Sequence, residues 1–418
     1  MPSYRLNNLA VTIDREGSGS YAKASYPIRF GKYSEIRTPN YEFHLNLKGE
    51  IKFIRGLGMN WRHPGELLKR TDGNDWVYYS LGTVGGNIKG LLGEYYLPCL
   101  PYMSNSIWEF NPFTDMNIMQ ALGAWAQTYA TLAETPLDGL PQPLREFVGL
   151  VISRHENALH AEAQALRDIG GERISVLPPD TRHVDYEVIP LMVADGCRYH
   201  CDFCCVKSPH RFQARPWENI LGQLEQLKAF YGRNLSSYKA LFLGNHDALA
   251  AGGELVCDGA AQAVEALGLV DAQVFLFASA DSLLRVEDGF FERISQIAGR
   301  TYINLGLESV DQATLSGLGK PLTSAKVREA FQKMLEINRQ YPNIEVTANF
   351  LLGERFSPEH YDSVSELLAG APGSPSHKGC VYLSPLLEST RKPELLPTFR
   401  DIQSQSRLPA FIYLIQRL

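Results

Sequence analysis

The chain has 418 residues, 44% of them apolar and 21% charged, with a formal net charge of −6 and seven cysteines. This length predicts two or three domains, or one large core with an accessory domain, and the composition excludes disorder and collagen-like repeats. No window of about 18 uncharged apolar residues occurs, so no membrane span is expected. The acidic balance gives no overall nucleic-acid footprint, and the charged opening residues do not read as a secretory signal. An odd cysteine count argues against a disulfide framework, which makes a reducing cytoplasm the expected compartment.

Residues 1–110 read as a β-rich accessory region. The first 75 residues hold 12 Lys or Arg against 8 Asp or Glu, and nine aromatics from Tyr4 to Trp61. A basic, aromatic surface there would suit an anionic or planar ligand. The plainer reading is a β-rich domain with aromatic core positions and a solvated charged face. Alternating apolar residues on both sides of Lys48-Gly49 predict a hairpin over residues 41–54. Residues 57–97 are dense in Gly, Trp and Tyr without a helical period. Residues 111–185 read as a helical segment and linker, with helices over 115–132 and 143–168, the second ended by Gly170-Gly171. The linker is expected at 176–183. Within the second helix, His155 and His160 are five apart and share no helix face, so a zinc-protease motif is excluded. Gly17 to Ser20 has neither the lysine nor the strand–loop–helix context of a phosphate cradle.

After residue 183 the rhythm changes. Apolar runs at 186–193, 239–243, 273–278, 301–305, 344–352 and 380–383 alternate with amphipathic stretches at 217–230, 260–267, 288–298, 324–340 and 358–368. Six strands alternating with helices predict a parallel sheet with right-handed crossovers, either doubly wound or part of a β/α barrel. In both, ligands bind beyond the C-terminal strand ends.

Directly after the first of these runs comes Gly196-Cys197-Arg198-Tyr199-His200-Cys201-Asp202-Phe203-Cys204-Cys205, four of the seven cysteines within nine positions. Cys197, Cys201 and Cys204, spaced Cys-x3-Cys-x2-Cys, can hold three corners of an iron–sulfur cluster. Zinc would need a fourth ligand, which His200, Cys205 or His210 could supply; no second knuckle occurs in the chain. Three cysteines leave one iron open to a substrate or cofactor. Cys99, Cys257 and Cys380 are isolated and do not make the paired pattern of a second cluster, and Cys205 reads as a neighbour of the cluster rather than a ligand.

This loop, with Phe203 before its last cysteine, resembles the signature of the radical S-adenosylmethionine superfamily. Gly244-Asn245-His246-Asp247-Ala248-Leu249 is similar to the Gly-Asp-Gly-Asp-Ala-Leu variant of its second motif, with Asn245-His246 as a departure. Gly306-Leu307-Glu308-Ser309 followed by Leu318-Gly319-Lys320, and Asn349 to Gly353, resemble segments of the coproporphyrinogen-dehydrogenase-like branch. The likeness covers about residues 186–390 and leaves 1–185 unexplained. It implies a partial (β/α)6 TIM-like barrel over 186–390, with a separate N-terminal α+β accessory domain and a C-terminal extension at 391–418.

The resemblance further implies a [4Fe–4S] cluster on Cys197, Cys201 and Cys204, chelating S-adenosylmethionine. Phe203 would lie near the adenine, and Gly244, Asn245 and Asp247 near the methionine ammonium, Asp247 being favoured by charge. Ser279, Glu308 and Ser309 would meet carboxylate and ribose, and Gly353 would admit close backbone approach to the adenine. The implied reaction is reductive cleavage of S-adenosylmethionine and hydrogen abstraction from a small or medium-sized organic substrate. It would be oxygen-sensitive and fed by a flavodoxin- or ferredoxin-type reductant. Residues 1–185 are expected to cap the barrel mouth and select the substrate. The alternatives are an RNA-modifying enzyme of the same chemistry, supported only by the basic N-terminal stretch, or a non-catalytic iron–sulfur or zinc protein. Methylthiotransfer is disfavoured by the lack of a second three-cysteine set, and cobalamin-dependent methylation by the lack of a recognisable cofactor domain.

Overall fold

The computed structural model describes residues 2–21, 30–58, 67–80, 95–98, 107, 112–172, 174, 188–204, 206–287, 289–373 and 378–414. The 176–183 linker and residues Cys99, Cys205 and Trp61 lie outside these. Eight strands, β1 (Ser3–Leu6), β2 (Leu9–Glu16), β3 (Lys32–Arg37), β4 (Tyr41–Leu45), β5 (Ile51–Gly56), β6 (Leu67–Arg70), β7 (Trp76–Ser80) and β8 (Tyr95–Pro98), form an antiparallel meander in chain order. One face buries Ile36, Phe43, Ile54, Leu68 and Tyr78 against helices α1 (Met116–Glu134), α2 (Gln142–Ile152) and α3 (Glu156–Gly170); the Phe43 and Trp125 rings meet at 5.3 Å. The opposite face buries Glu35, Glu42, His44 and Lys69, so strict polar–apolar alternation fails there.

The predicted hairpin forms as β4 and β5, with a longer turn than Lys48-Gly49. The Asn46 carbonyl side chain accepts from the Lys48 and Glu50 backbone N–H groups at 3.0 Å each, and Gly49 takes φ +78°. The predicted helix over 143–168 is two helices. Its break has a cause: His155 caps α3 by accepting from the Ala158 N–H, while Arg154 turns away to the Lys48 carbonyl and Glu162.

The second half is built of β9 (Val188–Pro190), the ribbon β10 (Ala194–Asp195) and β11 (Gln213–Ala214), α4 (Trp217–Tyr231), β12 (Ala240–Asp247), α5 (Gly253–Leu267), β13 (Gln273–Ala278), α6 (Ala280–Arg285), α7 (Gly289–Ile297), β14 (Arg300–Glu308), α8 (Gln312–Gly317), α9 (Ser324–Gln340), β15 (Ile344–Leu352), α10 (Pro358–Ala369), β16 (Val381–Pro385), α11 (Leu395–Gln405) and β17 (Ala410–Ile412). Strands β9 and β12 to β17 pair in parallel in that order. The order never reverses, so this is the winding of a β/α barrel rather than of a doubly wound sheet. Among the described residues nothing pairs β9 with β17, and the barrel is partial. It has one strand more than the six expected, because β17, in the 391–418 extension, adds to β16.

Inside the barrel, Val188, Ala240, Phe242, Phe275 and Tyr302, from the N-terminal parts of four strands, form an aromatic floor joined by Tyr21 and Phe30. Phe275 and Tyr302 stack at 4.8 Å. Above the floor, Phe277, Asn304 and Asn349 continue the inward positions, two residues further along each strand, and line a cavity at the C-terminal ends. From the N-terminal region, Tyr21 and Phe30 thus plug the bottom of the barrel. Lys48 donates to the Phe230 carbonyl and the Leu47 N–H to Asn234, contacts that also lie below the barrel, before β12 begins.

Candidate active site

The cysteine loop is held by its ends. Ribbon β10–β11 closes the base in the register Asp195 to Gln213, reinforced by two hydrogen bonds from Arg215 to Asp195, at 3.1 and 2.6 Å. Gly196 has φ +69°, and a Cβ there would lie 2.5 Å from the His210 carbonyl oxygen, so only glycine fits where the outgoing chain passes. The far side of the loop rests on the Leu318-Gly319-Lys320 segment, whose Leu318 carbonyl accepts from the Asp202 N–H at 3.0 Å.

That support delivers a lysine. Lys320 is buried beside the sulfurs and bonds Glu308 at 3.1 Å, with its ammonium 5.2 Å from the Tyr199 ring centre. Burial alone would lower its pKa, but Glu308 and the Cys201 sulfur outweigh that and hold it above the ordinary value. Burial also pushes the Cys197 and Cys201 thiols up, and Lys320 pulls both back. Tyr199 in turn donates to Asp281 of α6, which Lys326 also pairs at 2.7 Å, so the loop is tied to a second element.

Cys197, Cys201 and Cys204 line a cavity that opens to solvent. Of the other predicted site residues, Phe203, Asn245, Asp247, Ser279 and Glu308 line it; Gly244, Ser309 and Gly353 do not. Asp247 accepts from Ser282 at 2.7 Å and the Ala250 N–H at 3.2 Å through Oδ1. Its Oδ2 is buried with no hydrogen-bond partner among the described residues. Ser279 is the N-cap of α6, in a reciprocal capping box with Ser282. Ser309 is turned away and bonds His360 at 2.8 Å. Gly353 bonds Tyr361 through both its N–H and its carbonyl. It sits against Leu386 and Phe356, the cluster on which Phe203 packs. Gly244, at φ +125°, lies against Met192.

Sequence reasoning missed Lys320 as a site residue, though it closes the motif beside Glu308. It also missed Asn304 and Asn349, which exchange amide hydrogen bonds at 2.7 and 3.2 Å. Glu172 gave no signal at all. It follows the α3 cap, accepts from the Asn245 side chain and lies 3.8 Å from His246.

The sulfur spacing bears on the metal. Zinc at about 2.3 Å from each thiolate brings the sulfurs to about 3.8 Å from one another. Among the described residues, the trio of His, Cys, Asp or Glu ligand atoms gathered within 4.8 Å is Glu35, Glu42 and His44, and there Arg15 already pairs Glu35. The sulfurs of Cys197, Cys201 and Cys204 do not all lie within 4.8 Å of one another, a wider setting than one zinc ion draws its thiolates into.

No family model matches the chain, and no curated protein matches it. Among solved structures it is similar to the cobalamin-dependent S-adenosylmethionine radical enzyme OxsB with aqua-cobalamin bound, at 16% identity and a TM-score of 0.34, over 51% of this chain and 30% of that one. It is also similar to methylornithine synthase (PylB), at 12% identity and a TM-score of 0.35, over 53% of this chain and 63% of that one. The chain thus spans less than two thirds of either neighbour. No helix among the described residues is long and apolar enough to cross a membrane.

Proposed function

We propose that the chain is a radical S-adenosylmethionine enzyme acting on a small or medium-sized organic substrate. The observation that carries this reading is that Cys197, Cys201 and Cys204 together line a cavity at the C-terminal mouth of a sequentially wound parallel barrel. A [4Fe–4S] cluster with S-adenosylmethionine, when bound, supplies a 5′-deoxyadenosyl radical able to take hydrogen from an unactivated carbon.

The donor set fits that pair. Three thiolates leave one corner open, Lys320 offers a buried positive charge to a carboxylate, and Asp247 Oδ2 offers a buried acceptor to an ammonium group. The two charges stand at different strand ends, β12 for Asp247 and the segment after β14 for Lys320, and orient a zwitterion one way. Ser282 and the Ala250 N–H hold the Asp247 carboxylate, which keeps Oδ2 available. Phe203 supplies apolar surface for a planar ring beside Leu318, Leu351 and Leu386. Phe277 and the aromatic floor exclude water from below, which protects a reactive carbon radical. A flavodoxin- or ferredoxin-type protein is the electron donor this chemistry calls for.

The test is anaerobic reconstitution with iron and sulfide, then reduction with dithionite. A brown protein that forms 5′-deoxyadenosine from S-adenosylmethionine, and Cys201→Ala that forms none, is the expected result. A colourless protein with one tightly held zinc overturns it in favour of a non-catalytic metal protein.

A further inference from the structure

His246 interrupts the second motif between Asn245 and Asp247, at a position where the resembled Gly-Asp-Gly-Asp-Ala-Leu pattern carries glycine. Its side chain is 8% exposed, lines the cavity and makes no hydrogen bond among the described residues. Its ring nitrogens are not sealed off as the partnerless Asp247 Oδ2 and Glu172 Oε1 are, so they border the space a substrate would fill. Behind it stands Glu172, 3.8 Å from Nε2 and beyond hydrogen-bond reach. Glu172 has one buried oxygen without a partner, Oε1, and is held by the Asn245 amide. The α3 cap makes this placement possible: Gly171 has φ +76°, and a Cβ there would lie 2.9 Å from Arg215, so the chain turns tightly over the Asp195–Arg215 pair and presents Glu172 to β12.

We propose that His246, with Glu172 behind it as a positioning residue, is the polar anchor that selects a substrate bearing a hydroxyl or amine hydrogen close to the carbon that loses its hydrogen. Burial lowers the His246 pKa, so the ring is neutral and one nitrogen is free to accept a hydrogen bond. On the neighbouring strand end Phe277 and Ala278 are apolar, while Asn245 and Asp247 flank His246 on its own strand. A donor group on the substrate thus has a partner in the imidazole, and a molecule without one displaces water from that nitrogen and returns no hydrogen bond. Among the described residues, the N-terminal half reaches this rim through Glu172.

This inference rests on the functional reading above, and the experiment separates the two. The reconstituted protein is reduced with dithionite in the presence of S-adenosylmethionine and an equimolar mixture of carbon-deuterated glycerol and undeuterated 1,2-dimethoxyethane; a parallel mixture has the label on the ether. The readout is the fraction of 5′-deoxyadenosine carrying deuterium from each, whatever the amount formed. The natural chain is expected to favour glycerol over the ether, which has no O–H, by about fivefold more than His246→Leu does, the effect of one neutral hydrogen bond. His246→Gln, which keeps an acceptor, retains most of the preference, and His246→Met replaces the Leu variant if the latter does not fold. The same ratio in the natural chain and the apolar variant overturns the anchor and leaves the functional reading standing. Absence of 5′-deoxyadenosine from the natural chain overturns both.

Discussion

Lys320 and Glu308 form a buried ion pair in which each charge depends on the other for its place in a low-dielectric wall. Removing one partner of such a pair costs about 3–5 kcal/mol, because an uncompensated charge stays buried. Lys320→Met is therefore expected to lower the urea midpoint of the metal-free chain sharply, and Lys320→Met with Glu308→Gln to recover part of the loss. Equal midpoints for the single and double variants would show that the pair is not coupled. Glu308 adopts φ +69°, a left-handed conformation that non-glycine residues seldom take. It holds that conformation at the strand end where its carboxylate meets Lys320. Gly196 has no such latitude. Gly196→Ala is expected to prevent cluster loading, measured as iron per chain, since the methyl group would meet the His210 and Arg211 backbone rather than a movable side chain.

At the scale of elements, the contact between the N-terminal sheet and α3 and α4 holds a carboxyl pair. Burial, then the neighbouring Glu50, push the Glu162 carboxyl up to about 7, and Lys48 only partly offsets them. Glu50 is also buried, but the hydrogen bond with Glu162, then the ammonium groups of Lys52 and Lys48, hold it well below the carboxylate range. The two contribute with opposite sign. Between its ordinary value of 4.5 and about 7, folded Glu162 keeps a proton that the unfolded chain releases, so stability falls as pH rises through that window. Glu50 contributes stability that is present above its unfolded value and lost as pH falls. Glu162→Gln is expected to remove the decline, giving a melting temperature that changes less from pH 5 to pH 7 than that of the natural chain. Parallel profiles would show that Glu162 carries no proton there.

At the scale of the whole molecule, one apolar cluster runs from Leu6 in the first sheet through α1 to α4 and the barrel helices to Leu414. Were residues 1–185 only a substrate-selecting cap, their loss would spare cleavage of S-adenosylmethionine. A shared core leads to a different expectation. Removing residues 1–172 uncovers the barrel floor where Tyr21 and Phe30 pack, and the remainder is expected to be insoluble or to lack a cooperative thermal transition. A milder probe is Tyr21→Ala, expected to cost about 3 kcal/mol as a cavity at the floor, read by urea denaturation. A soluble, cooperatively melting 173–418 fragment would show that the barrel carries its own core.

The strands of the barrel were legible because parallel strands are buried on both faces and read as continuous apolar runs; β13, β15 and α9 begin and end where their patterns do. The cysteine loop was legible because its three cysteines lie close together in sequence. Other features were not. Strands β6 to β8 escaped because Lys69 is turned into a buried polar face, 1% exposed, which breaks the alternation that marks a strand. Strand β17 escaped because three residues are too few for a period. Local composition and spacing thus determined the strand–helix alternation of a parallel sheet and located the cysteine loop at a strand end. Tertiary structure alone decided that Lys320 stands against the sulfurs, that Ser309 and Gly353 lie off the cavity, that Tyr21 plugs the floor, and that Glu172 reaches His246 across 74 positions. Each of these depends on side chains distant in sequence competing for the same buried space, and no local pattern records that competition.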